Sequence, residues 1–200
     1  MKRARTLFWG FTTILLLLIF FIFSANRWTD DQFAKDRIRA GKSIPAFSFV
    51  SLDDPKVTYT NWNMLGKVYI IDFWATWCGP CVDEMRYMHE AHKKYKDAGF
   101  EIISVSLDTD PSNVIDFRRH NWSMPWRNVV LNNGFESEVA SRFKVWGIPK
   151  PILVNRTGRI IATEDELRGE NLDRTLAHFL AHNEKDGVVE SLYAKIKVYY

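Results

Sequence analysis

The chain opens on an unbroken apolar run. From Leu7 to Phe23 only Gly10, Thr12 and Thr13 soften it, and every helical face is hydrophobic. At ~1.5 Å per residue the run spans ~25 Å as a helix, near the ~30 Å of a bilayer core once Ser24 and Ala25 join it. A retained anchor and a cleaved export signal both fit such a run. Signal cleavage wants two small residues, and Phe23-Ser24-Ala25 puts a ring at one of those positions. A retained transmembrane helix over residues 1–25 is the expectation. Residues 26–43 then mix both charges with weak periodicity and read as a tether.

From Ile44 the pattern becomes that of a folded domain. Val68-Tyr69-Ile70-Ile71-Asp72-Phe73-Trp74 is a short apolar, β-branched and aromatic run, which predicts a buried strand. Pro80 to Ala98 reads as a helix ended by Gly99, and Phe100 to Leu107 as a second buried strand. Asp110-Pro111-Ser112 opens a helix through His120. Val129 to Leu131 reads as a strand and Phe135 to Phe143 as a helix. Pro151 to Asn155 and Arg159 to Thr163 flank Arg156-Thr157-Gly158 as a hairpin, and Leu172 to His182 closes the domain as a helix. Strands alternating with helices and then a hairpin predict an α/β fold, a central mixed β-sheet flanked by helices, over residues 44–183. In the C-terminal extension, 184–200, Val189, Leu192, Tyr193, Ile196 and Tyr200 fall at helical spacing. That suits a helix packed on the domain, or one that meets a membrane surface or a partner.

Composition narrows the function. The chain of 200 residues carries 27 basic and 24 acidic side chains, a net charge of +3. Lys2, Arg3 and Arg5 account for the whole excess, so no basic face remains for nucleic acid. The same three residues precede the apolar run, whereas Arg27, Lys35, Arg37, Arg39 and Lys42 follow it. The tight N-terminal cluster, and the ease with which long domains translocate, place the domain outside the cytoplasm on a single-pass anchor.

Only two cysteines occur, in Trp77-Cys78-Gly79-Pro80-Cys81, between a predicted buried strand and a helix. Cys78 falls at the helix N-terminus, where unpaired amides and the helix dipole stabilise a thiolate. Cys81 lies one turn later, shielded and close enough to close a disulfide. Pro80 sits in the first turn, where its missing N–H is not needed. Half of a zinc site, or two inert core cysteines, are the other uses of such a pair; zinc would need two further ligands.

The stretch Tyr69 to Cys81 closely resembles the active-site strand and loop of the thioredoxin superfamily. The wider pattern resembles its membrane-tethered TlpA/ResA-like branch. Ile44-Pro45-Ala46-Phe47 in the strand that opens the domain, Gly66-Lys67 before the core strand, Glu84, and Gly147-Ile148-Pro149 before the hairpin carry that likeness, which covers about Ser43 to His182. The resemblance implies a thioredoxin-like fold and dithiol–disulfide exchange on protein substrates. It makes Cys78 the attacking and Cys81 the resolving cysteine, with the Cys78–Cys81 disulfide as the redox centre and no other cofactor. It makes Pro149 the cis-proline facing the active site and Ile148 the residue that pairs with bound substrate, beside a rim of Trp77, Gly79 and Pro80. Asp72 matches the buried acid of thioredoxin, where the TlpA-like branch commonly has asparagine. Buried in an apolar strand, its carboxyl should titrate high and take a proton from Cys81. Glu84 matches the acid typical of the ResA-like branch; the alternative for it is a solvated helix face.

The Gly-Pro between the cysteines resembles thioredoxin, whose potential near about −270 mV makes it a reductant. A reductant outside the cytoplasm needs electrons through the membrane, so the resemblance implies a CcdA- or DsbD-type donor in the bacterial cytoplasmic membrane. It suggests exported proteins as substrates, apocytochrome c among them. Lys150 departs from the family pattern after Pro149; an ammonium close to Cys78 would lower the thiolate further. A redoxin-type thiol peroxidase is disfavoured because Ala75 stands where that chemistry wants Thr or Ser. A metal chaperone or binding module would want wider cysteine spacing and a histidine. His178 and His182, like His89 and His92, read as solvated helix faces.

Overall fold

The computed structural model describes residues 17–21 and 38–182 and divides the chain into two units, Met1–Arg37 and Ile38–Tyr200. In the first unit the described residues, Leu17 to Phe21, are helical and exposed. The rest of the expected anchor, residues 26–37 of the tether, and the extension 184–200 lie outside the described residues. Among the described residues no helix is long and apolar enough to cross a membrane.

The second unit is built on a five-stranded sheet. Strand β3 (Val68–Trp74) sits at its centre and is buried at all seven positions, as a strand covered on both faces must be. Cys78 caps helix α1 (Gly79–Tyr95), which packs Cys81, Met85, Met88, Ala91 and Tyr95 inward. The chain leaves α1 through a tight turn and Gly99, whose φ of 83° is left-handed. Strand β4 (Phe100–Ser106) then pairs parallel to β3. Asp110 accepts the amide of Ser112 at 2.8 Å, with Pro111 at the first helical position, and starts helix α2 (Pro111–His120). Strand β5 (Arg127–Val130) pairs parallel to β4, helix α3 (Glu138–Arg142) is short, and β6 (Lys150–Val154) runs antiparallel to β3. Strand β7 (Ile160–Thr163) completes the order β5-β4-β3-β6-β7, and helix α4 (Glu170–His182) closes the fold. This is the mixed sheet that the sequence predicts. Alternation along β3 sends Val68, Ile70, Asp72 and Trp74 toward α1, α2 and α4, and Tyr69, Ile71 and Phe73 toward the other face.

Four local readings differ from the structure. Ile44 to Phe47 is not a strand. The side chain of Asn61 takes up that backbone, accepting the Phe47 amide at 2.6 Å and donating to Pro45 at 3.1 Å. The pairing begins after it, as a small antiparallel sheet of β1 (Ser48–Val50) with β2 (Thr58–Thr60). The predicted helix 135–143 is broken at Ser137, which adopts extended dihedrals and caps Ala140 with its hydroxyl at 3.1 Å. Just upstream Gly134 is obligatory: its φ is 49°, and a Cβ there would lie 2.9 Å from the Leu107 carbonyl. Strand β5 starts two residues early, because Arg127, polar in sequence, pairs with Glu101 on β4. The end of the tether also belongs to the fold: Gly41 donates to Ile160, and Ile160 to Lys42, both at 2.8 Å, so residues 41–43 run along β7.

Candidate active site

The C-terminal end of β3, the N-terminus of α1 and the start of β6 meet at one end of the sheet. Register places them there: Phe73 of β3 lies opposite Lys150 of β6, so the Ile148–Pro149 turn comes level with the loop leading into Cys78. Cys78 and Cys81 are joined in a disulfide, with Cα atoms 5.2 Å apart. The Cys81 amide points at Cys78 Sγ from 3.3 Å, and no acid stands in the first turn of α1. A thiolate at Cys78 would therefore meet a helix N-terminus and a donor with no opposing charge on that turn. Cys81 is 1% exposed and Cys78 6%, and next to Cys78 the Trp77 ring is 62% exposed. Gly79 and Pro80 are exposed beside it, with Phe135 6.5 Å from Trp77.

The loop into Cys78 is held from β4. Asp108, buried at the end of that strand, accepts the Thr76 amide at 3.0 Å, the Thr76 hydroxyl at 2.6 Å and the Ser106 hydroxyl at 2.6 Å. The sequence reading missed it. The signal was an acid directly after a buried strand, where a loop needs an acceptor.

Asp72 is buried on the α1 face, level with Ser104 and Pro151 in the neighbouring strands. Its Oδ1 has no hydrogen-bond partner. Burial first, and the charge of Glu84 second, push its carboxyl up to about 7, against the opposing pull of the Arg168 guanidinium. Glu84 is half-buried rather than a solvated helix face: its Oε2 accepts the Gly169 amide at 2.8 Å. Arg168, another residue the sequence reading missed, donates to the Pro149 carbonyl at 2.7 Å. The Ile148–Pro149 bond is cis, Pro149 is buried, and half-buried Ile148 packs against the clusters on both faces of the sheet.

Lys150 is 7% exposed and directs its ammonium to Glu164 at 3.4 Å. The charge that the sequence left free to influence Cys78 is thus partnered. His89 and His92 are not solvated either. Their rings pack on Trp126 at 4.9 and 5.4 Å, that of His89 also on Trp122 at 5.2 Å, and burial lowers the pKa of both. Among the described residues no three His, Cys, Asp or Glu side chains group as a metal site.

A cysteine pair at a helix N-terminus, level with a cis-proline on a β-β-α element, defines the class: a dithiol–disulfide protein of thioredoxin-like fold. A family model described as thioredoxin-like matches residues 66–160. The thiol-disulfide oxidoreductase ResA of Oceanobacillus iheyensis is 30% identical over 164 residues, covering 80% of this chain and 81% of that protein. ResA of Bacillus thuringiensis subsp. konkukian is 29% identical over 181 residues, 90% of this chain and 97% of its own length. Among solved structures, the thioredoxin domain of a thiol-disulfide oxidoreductase from Bacteroides vulgatus superposes with a TM-score of 0.64 at 29% identity. It covers 72% of this chain and 99% of that one. The chain belongs to the thioredoxin superfamily, in its TlpA/ResA-like branch, and is a disulfide oxidoreductase.

Proposed function

We propose that this oxidoreductase is a membrane-anchored reductase of disulfides in exported proteins, cytochrome c maturation being one such task. The carrying observation is the placement of Cys78 at an α1 N-terminus free of first-turn acids, with Cys81 shielded behind it. The Cys78 thiolate attacks one sulfur of a substrate disulfide and displaces the other as a thiolate, leaving a mixed disulfide. Asp72 takes the proton of Cys81, whose sulfur then attacks Cys78 Sγ. The second substrate sulfur leaves as a thiolate, which recovers a proton from Asp72 or water, and the Cys78–Cys81 disulfide closes. Two electrons pass to the substrate, and the Cys78–Cys81 pair is the only redox group the cycle requires.

Trp77, Gly79, Pro80 and the Ile148–Pro149 turn form the surface that receives the substrate chain, and Glu84 tunes Asp72. The apolar run Leu7 to Phe23 supports the anchor, and the cluster Lys2, Arg3 and Arg5 supports an extracytoplasmic domain on the bacterial cytoplasmic membrane. There the dithiol is renewed by a CcdA- or DsbD-type membrane donor. Reduction of insulin by dithiothreitol, with the full chain in detergent micelles, tests the reading. Acceleration by the wild type and none by Cys78→Ser is expected. An equal rate with both would overturn it.

A further inference from the structure

Arg168 stands where three parts of the site come together. Its Nη2 donates to the Pro149 carbonyl at 2.7 Å, across 19 residues of chain. Its neighbour Gly169 donates its amide to Glu84 Oε2 at 2.8 Å, across 85 residues. Gly169 has a φ of 55°, a left-handed conformation that aims this amide and suits glycine, and a Cβ there would touch the Tyr87 ring at 3.8 Å. The Arg168–Gly169 step thus bonds to the substrate-facing turn on one side and to α1 on the other. The two are otherwise carried by separate strands of the sheet.

We propose that Arg168 is a positioning residue for disulfide exchange, holding the Ile148–Pro149 turn at a fixed offset from the Cys78 end of α1. This deepens the reductase reading and rests on it. The guanidinium touches no reacting sulfur. It acts on the turn through the Pro149 carbonyl, on α1 through the adjoining Gly169 amide, and on Asp72 through its charge. The charged groups acting on Asp72 are Glu84 from α1 and Arg168 from the segment before α4, while its strand neighbours Ser104 and Pro151 carry none. Losing Arg168 therefore does two separable things: it frees the turn that docks substrate, and it leaves Asp72 facing Glu84 alone.

The test uses the full chain in micelles as wild type, Arg168→Met and Arg168→Lys. Insulin-reduction kinetics and a carbon-13 titration of the Asp72 carboxyl in the oxidised form, where no thiol titrates, are the readouts. Arg168→Met should raise KM about fivefold or more with kcat nearly unchanged at high pH, the loss of one charge-assisted bond. Its Asp72 midpoint should move up. Arg168→Lys keeps the charge but not the planar reach, so its midpoint should stay near wild type while KM rises. An unchanged KM in both variants, or KM and kcat failing together in step with a falling melting temperature, overturns the proposal. Should Arg168→Met not fold, the KM and midpoint of Arg168→Lys decide alone. A wild type that reduces no insulin overturns the reductase reading instead, and the Asp72 midpoints then still test the placement of Arg168.

Discussion

Asp108 takes both polar groups of Thr76, amide and hydroxyl, onto one buried carboxylate, 32 residues along the chain. The bonds tie the loop before Cys78 to the end of β4, so the sulfur inherits the rigidity of the central sheet. Replacing Asp108 with Ala would leave a Thr76 amide and a Ser106 hydroxyl without their acceptor. A loss of about 2–4 kcal/mol in stability is expected from such a change. Urea denaturation of the oxidised protein measures it, and Asp108→Asn, which keeps an acceptor, should lose less.

Cys78 should be the sole fast nucleophile of the reduced protein. Alkylation rates against pH should show one thiol titrating well below the ~8.5 of free cysteine. Mass spectrometry should place the first adduct on Cys78; a first adduct on Cys81 would reverse the two roles.

Asp72→Asn should slow release of the mixed disulfide by about tenfold or more while leaving its formation nearly unchanged, since the role proposed for the carboxylate is deprotonation of Cys81 alone. Stopped-flow separation of the two steps checks this. Equal slowing of both would leave Asp72 a structural residue.

The same carboxyl fixes a pH dependence of stability. Its value is 3.8 when exposed and about 7 in the fold. Between those values the native state holds a proton that the unfolded chain has released, so the contribution of Asp72 to stability falls as pH rises from about 4 to about 7. The decrement reaches about 4 kcal/mol at and above neutrality. Subtracting the urea-denaturation profile of Asp72→Asn from that of the oxidised wild type should expose this slope; parallel profiles would contradict it.

Topology has its own readout. Alkaline phosphatase, active only after export, fused to the C-terminus should be active and membrane-bound. An inactive, stable fusion would put the domain in the cytoplasm, and an active soluble one would make the apolar run a cleaved signal.

What was readable in the sequence was whatever local rules decide. Asp110-Pro111 starts α2 because cap and proline act within four residues, and Val68 to Trp74 is a strand because nothing polar but Asp72 interrupts it. The cysteine pair was legible for the same reason, since strand, loop and helix N-terminus are contiguous. The missed features depend on partners distant in sequence. Arg127 and Lys150 look like surface residues until Glu101 and Glu164 are placed beside them. His89 looks solvated until Trp122 and Trp126 fold over α1. Asn61 replaces strand pairing at Ile44 to Phe47 from 14 residues beyond Phe47, and no periodicity encodes that.

The segment 41–44 along β7 has a colloidal consequence. Gly41 and Ile44 donate to Ile160 and Gly158, and Lys42 accepts from Ile160, so the outer rim of the sheet has no open row of amides there. An uncovered rim invites another copy to add its own strand. A recombinant domain cut at Ile44 would retain the dithiol and the core yet present that rim to its neighbours and self-associate. One beginning ahead of Ile38 keeps the rim sealed, so the few residues that lead into the domain also guard the protein against stacking at high concentration.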